Sequence, residues 1–111
     1  MVFERHPCVY ILASQRFGTL YIGVTSDLIG RLWQHRKEEV EGFTKRYGVH
    51  RLVRYEAYDT MAEAIKREKQ LKNWHRQWKI NLIESENADW HDLAIGLGLP
   101  PLDLSAPDNG S

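Results

Sequence analysis

Two β-rich runs separated by a four-residue loop constrain this chain most. Cys8 to Ser14 and Thr19 to Val24 are rich in strand-forming residues, and Gln15-Arg16-Phe17-Gly18 lies between them, ending in glycine. A loop over those four residues sets the register. Ser14 pairs with Thr19, Leu12 with Tyr21, and Tyr10 with Gly23. Residues two apart on a strand share a face, so Tyr10 and Tyr21 lie diagonally on one face. They either fill the core as an aromatic cross-strand pair or present two phenols to a site. Apolar residues occupy both faces of the first run.

The rest of the chain supplies helices and one more strand. Thr25-Ser26-Asp27 offers N-cap chemistry for a helix from about Leu28 to Glu41. Gly42 to Gly48 reads as a loop, and His50 to Tyr58 as a third strand. Thr60 and Glu63 form a capping-box pattern that opens a helix to about Trp74. A further helix is predicted over Arg76 to Ser85, and a short one over Trp90 to Leu97. The order β-β-α-β-α-α predicts an α+β fold: a small three-stranded antiparallel or mixed sheet flanked by helices. The domain is expected over residues 1–97, with its core at about 7–85. Residues 98–111, rich in Pro, Gly, Asp and Ser, read as a flexible tail.

Composition removes several function classes. No run of about twenty apolar residues is present, so no membrane-spanning helix is expected. Met1 to Pro7 lacks the apolar run of a signal peptide. The single cysteine, Cys8, excludes an internal disulfide and a multi-thiol zinc site. These features point to the cytoplasm. The formal net charge is zero, but the charge is unevenly spread. Arg31 to Leu82 holds 13 Lys and Arg against 7 Asp and Glu, an excess of six positive charges. Ile83 to Ser111 holds no Lys or Arg and 6 Asp and Glu. A basic body suits an anionic partner, although a mixed solvated surface has the same composition.

Two helices carry the remaining candidates. Arg31 and His35 stand four apart and are neighbours on the first helix. They flank the stripe made by Leu28 and Leu32, where they either lean over the sheet edge or form an exposed basic face. At about 100° per residue, Met61, Ala64, Ile65 and Leu71 form an apolar stripe on the second helix, with Glu68 at its centre. A lone carboxylate there is costly. Glu68 is therefore either ion-paired with Lys72, one turn on, or a metal ligand or catalytic carboxylate. In the stretch Lys66 to Lys79, cations interleave with Trp74 and Trp78. Cations of this kind meet phosphates while an aromatic face stacks on a base, unless the tryptophans pack into the core. No P-loop, dinucleotide fingerprint, His-Glu-x-x-His or serine elbow is present, and the five histidines show no ligand spacing.

In this order, these residues resemble the GIY-YIG nuclease family. Tyr21-Ile22-Gly23 matches the second tripeptide, and Val9-Tyr10 ends the first, which here reads Cys8-Val9-Tyr10 rather than Gly-Ile-Tyr. Arg31 with His35 matches the helix that follows, and Glu68 matches the metal-binding carboxylate. The resemblance covers about residues 7–85 and is closest to the small stand-alone members.

The resemblance implies a phosphodiester-cleaving endonuclease dependent on Mg²⁺ or Mn²⁺. A site with one protein carboxylate suits such an ion, which keeps several waters and takes phosphate oxygens. Glu68 would anchor it and Arg31 would meet the scissile phosphate. Tyr10 would act as base, Tyr21 would orient water or phosphate, and His35 would bond phosphate or assist proton transfer. A phenol serves as a base near neutral pH only if a nearby cation lowers its pKa. Arg31, Lys69, Lys72, Trp74, Arg76 and Asn81 are the expected nucleic-acid contacts, with Asn73 the alternative for the family's asparagine. The expected partner is DNA, recognised by structure rather than sequence, and the expected state is a monomer or weak homodimer. A non-catalytic nucleic-acid-binding module and a protein-interaction adaptor are the competing readings.

Overall fold

A computed structural model describes residues 6–37 and 48–102. Three strands form one antiparallel sheet: β1 (Cys8–Ala13), β2 (Leu20–Thr25) and β3 (Arg51–Ala57), in the order β2-β1-β3. The helices are α1 (Leu28–Arg36), α2 (Met61–Lys72) and α3 (Arg76–Glu86), which gives the α+β order expected from the sequence. β1 is central and every one of its residues is buried. That is why its sequence is apolar on both faces rather than alternating.

The hairpin has the register read from the loop. Tyr10 opposes Gly23 and Leu12 opposes Tyr21. Gly18 N–H donates to the Gln15 carbonyl at 2.8 Å, and Thr19 N–H donates to Ser14 Oγ at 2.9 Å, closing the turn. β3 pairs with the other edge of β1, with a bulge beside Ile11 and Leu12 that keeps Leu12 opposite Leu52.

Both faces of the sheet are covered. On one, Tyr10, Leu12 and Leu52 pack with Leu32 of α1 and with Ala94 and Leu99. On the other, Val9, Ile11, Ala13 and Ile22 pack with Ala64 and Leu71 of α2, Ile80 and Ile83 of α3, and Trp90. The helix starts are fixed by side chains: Asp27 Oδ1 accepts from Gly30 N–H at 3.1 Å, and Thr60 Oγ1 accepts from Glu63 N–H at 3.1 Å. The expected extension of α1 to Glu41 and most of the loop after it lie outside the described residues.

The helix predicted over Trp90 to Leu97 is instead a short 3₁₀ turn at Ile95–Leu97. Trp90 adopts a left-handed φ of 59°, which interrupts helical backbone. Asp92 Oδ1 accepts from Leu52 N–H and Ala94 N–H, both at 3.1 Å, tying this segment to β3. Packed chain continues past residue 97, because Leu99 is buried and its N–H donates to the Ala94 carbonyl.

Glu56 of β3 binds the helix that carries Glu68. Its carboxylate accepts from Arg67 Nε at 2.9 Å, Arg54 Nε at 2.8 Å and the Tyr58 hydroxyl at 2.8 Å. Burial alone would raise its pKa. The hydrogen bonds from Arg67, Tyr58 and Arg54 outweigh burial and hold it down to about 2. A depressed carboxyl pKa gives stability that is complete above the unfolded pKa and lost as pH falls toward the folded value. Wild type is therefore expected to exceed Glu56→Gln in stability by roughly 3 kcal/mol at neutral pH, narrowing between about pH 5 and pH 2. Urea unfolding of both proteins across that range measures the difference.

Candidate active site

Tyr10, Tyr21 and His35 form a compact triangle of rings. Tyr10 and Tyr21 have ring centroids 6.2 Å apart, Tyr10 and His35 5.8 Å, and Tyr21 and His35 5.4 Å. The Tyr10 hydroxyl and His35 Nε2 are hydrogen-bonded at 3.0 Å. Tyr10 and His35 are each only 1% exposed. His35 is thus inside the molecule, not on an exposed face of α1. A buried imidazole needs a partner, and the Tyr10 hydroxyl of β1 supplies one to α1 on the face they share.

Glycine makes this arrangement possible. A Cβ on Gly23 would lie 2.4 Å from both Cζ and the hydroxyl oxygen of Tyr10. The Tyr10 phenol passes directly over the residue opposite it in the hairpin, so only a residue without a side chain fits.

Electrostatics keeps both partners neutral near pH 7. Burial raises the Tyr10 pKa well above the ordinary phenol range, and the Tyr21 phenol, which also hydrogen-bonds it, adds to this. Arg31 opposes the rise without cancelling it. Burial pushes His35 down to about 4, assisted by its electrostatic interactions with Arg31 and His50. Arg31 is thus in electrostatic reach of both members of the pair. Among the described residues, no carboxylate forms an ion pair with Arg31.

Glu68 approaches from the other side of β2. α2 lies across β2 and β1. Ala64 and Leu71 are its buried residues, whereas Met61 and Ile65 remain exposed. Glu68 therefore stands at the margin of the buried stripe rather than its centre. Its side chain is still only 13% exposed, and its Oε2 pairs with Lys72 Nζ at 2.8 Å. Lys72, Lys79, Leu20, Tyr21 and Ile22 line a groove of about 310 Å³ along β2. Tyr21 borders both regions: its ring meets Tyr10 and His35, and it lines the groove together with Lys72.

Glu68 is the carboxylate that the sequence puts forward as a metal ligand. It is a largely buried carboxylate that already binds a cationic group, the Lys72 ammonium. No group of three or more His, Cys, Asp and Glu among the described residues is placed to hold a metal. One carboxylate fits a hard cation that keeps its waters, such as Mg²⁺ or Mn²⁺. Cys8 is no ligand candidate, because burial pushes its thiol up to about 11.

The expected nucleic-acid contacts divide. Lys69 and Lys72 are exposed on α2. Trp74 packs against the core, with the Arg67 guanidinium 5.2 Å from its ring centroid. Arg76 Nη2 donates to the carbonyls of Phe17 and Gly18, so this side chain clips the hairpin loop to α3. Asn81 is exposed and accepts from Gln77 Nε2 at 2.9 Å, while Asn73 caps the end of α2. Two further residues stand out here: Gly23 beneath Tyr10, and Lys79 in the groove. The hairpin register already placed Gly23 opposite Tyr10. Nothing in the spacing distinguished Lys79 from its basic neighbours.

Comparison with known proteins follows the same outline. Residues 6–81 match the family described as the GIY-YIG catalytic domain. UPF0213 proteins from Staphylococcus aureus strains Mu3 and MW2 are each 41% identical over 68 residues, covering 60% of this chain and 82% of theirs. The solution NMR structure of the UPF0213 protein BH0048 from Bacillus halodurans has 26% identity and a TM-score of 0.51. It covers 86% of this chain and 99% of that one.

Proposed function

Because this chain belongs to the GIY-YIG catalytic-domain family, we propose that it is a divalent-metal-dependent endonuclease. Its substrate is DNA, selected by structure rather than base sequence. The observation that carries this reading is the buried Tyr10–His35 hydrogen bond of 3.0 Å within reach of the Arg31 charge. A neutral phenol bonded to a neutral imidazole can pass a proton without either group being charged at rest.

Phosphodiester hydrolysis needs an activated water and relief of charge on the phosphoryl oxygens. Arg31 offers fixed cationic donors to the scissile phosphate. Tyr10 takes a proton from the attacking water as its own hydroxyl proton passes to His35 Nε2. The phenol ends neutral, and the imidazolium that forms is balanced by the incoming phosphate. As the water oxygen bonds to phosphorus, the P–O bond to the leaving oxygen breaks, and that alkoxide takes a proton from solvent water. This handover meets the difficulty of a buried phenol, which ionises poorly by itself. Tyr21, between the pair and the groove, orients the water or the phosphate. Glu68 would hold the Mg²⁺ or Mn²⁺, which when bound supplies further charge relief on the phosphate.

Lys69, Lys72 and Lys79 extend the cationic surface along α2 and α3. No helix among the described residues is long and apolar enough to cross a membrane. A cytoplasmic monomer or weak homodimer is the state in which we place this activity. A panel of labelled branched, flapped, single-stranded and duplex DNA, with RNA counterparts, tests the proposal when incubated with Mn²⁺. Cutting of branched or single-stranded DNA is expected. Binding without cutting on every substrate would identify a binding module instead.

Trp78 adds a separate expectation. Its ring is 54% exposed and is held edge-on by Trp74 at 5.9 Å and His75 at 5.4 Å. Stacking of an unpaired base on an exposed aromatic contributes about 1–3 kcal/mol. Trp78→Ala is expected to weaken single-stranded DNA binding by about that amount in a fluorescence anisotropy titration. Its melting temperature should stay near that of wild type, since the ring buries little.

A further inference from the structure

The pairing of Glu68 with Lys72 is asymmetric. Glu68 is 13% exposed, whereas Lys72 is 54% exposed and reaches it from the solvent side. Lys72 also lines the groove along β2 that contains Tyr21 and Lys79. Lys79 makes no ion pair among the described residues. One ammonium group therefore stands between a carboxylate and a cationic groove.

We infer that Lys72 is a displaceable counter-ion that holds Glu68 until a divalent cation arrives, then turns to a substrate phosphate in the groove beside Lys79. The inference rests on the nuclease reading of the site. A largely buried carboxylate is costly without a positive partner, so Glu68 needs one before metal enters. A half-exposed lysine pair is weak, so giving it up costs little. The lysine stem is flexible, and its ammonium can move without any change in the helix. Once Lys72 leaves Glu68, both of its possible anions are served: the carboxylate by metal, the phosphate by the ammonium. Metal and nucleic acid then strengthen each other's binding, as reciprocal coupling requires.

The test uses Mn²⁺ alone, with no nucleic acid, on wild type and on the K72M, K72R and E68Q variants. Calorimetric titration should show K72M binding Mn²⁺ about fivefold more tightly than wild type, the gain from removing a weak competing pair. K72R, which keeps a cation on Glu68, should stay near wild type. Amine labelling read by mass spectrometry should show Lys72 more reactive when Mn²⁺ is added. In E68Q it should be reactive with or without Mn²⁺. Unchanged Mn²⁺ affinity in K72M, no Mn²⁺ binding by any of these proteins, or Lys72 labelling indifferent to Mn²⁺ would overturn the inference. Neither readout involves turnover. Tighter K72M binding in a protein that cuts nothing would refute only the nuclease reading, and unmoved affinity in a protein that cuts would refute only the exchange.

Discussion

Glu68→Gln is expected to reduce DNA cutting by on the order of 10³-fold while leaving the fold intact. The amide keeps the shape of the carboxylate and removes its charge. That charge is what a hard cation needs, and among the described residues no group of three or more His, Cys, Asp and Glu is placed to take over the ion. A metal acting on phosphoryl oxygens contributes several kcal/mol to the transition state, which sets the size of the loss. The structural cost is small, because the Lys72 partner is half exposed and such pairs contribute about 1 kcal/mol or less. Single-turnover cutting in Mg²⁺ and a thermal melt separate the two effects. A fall in rate with an unmoved melt is the expected pattern. Equal rates for both proteins would remove Glu68 from the chemistry.

Gly23→Ala is expected to damage both stability and cutting. The added methyl would lie 2.4 Å from Cζ and the hydroxyl of Tyr10, so the ring must move. Tyr10 is fully packed, and overfilling such a site costs about 1–3 kcal/mol. Movement of the ring also draws its hydroxyl away from His35 Nε2, now 3.0 Å away. A misplacement near 1 Å in a catalytic group lowers rates by about 10²-fold. Thermal melts together with cutting rates measured well below the melting point show both effects. A variant that melts early yet cuts at the wild-type rate would show that Gly23 serves packing alone.

Much of this architecture is legible in the chain because its determinants are local. A four-residue loop is enough to set the hairpin register, and with it the pairing of Tyr10 with Gly23. Asp27 and Thr60 mark helix starts because a side-chain oxygen caps backbone N–H groups within three residues. What the sequence leaves open depends on distant partners. Whether His35 faces solvent depends on the Tyr10 hydroxyl, 25 residues away in the chain. The segment after α3 departs from its predicted helix because Asn87 and Asp92 bond to β3. Helical spacing could not separate an ion pair from a metal ligand at Glu68, since both uses need the same carboxylate in the same place. Arg76 looks like a phosphate contact in a basic stretch, yet its guanidinium is bonded to the hairpin loop.

The most direct measurement is a crystal of the protein soaked in Mn²⁺ and analysed by its anomalous scattering. A Mn²⁺ peak bonded to the Glu68 carboxylate, facing Tyr21 and Arg31 with the Lys72 ammonium displaced, is the predicted result. A peak at some other residue, with Glu68 still paired to Lys72 at saturating Mn²⁺, would contradict the account.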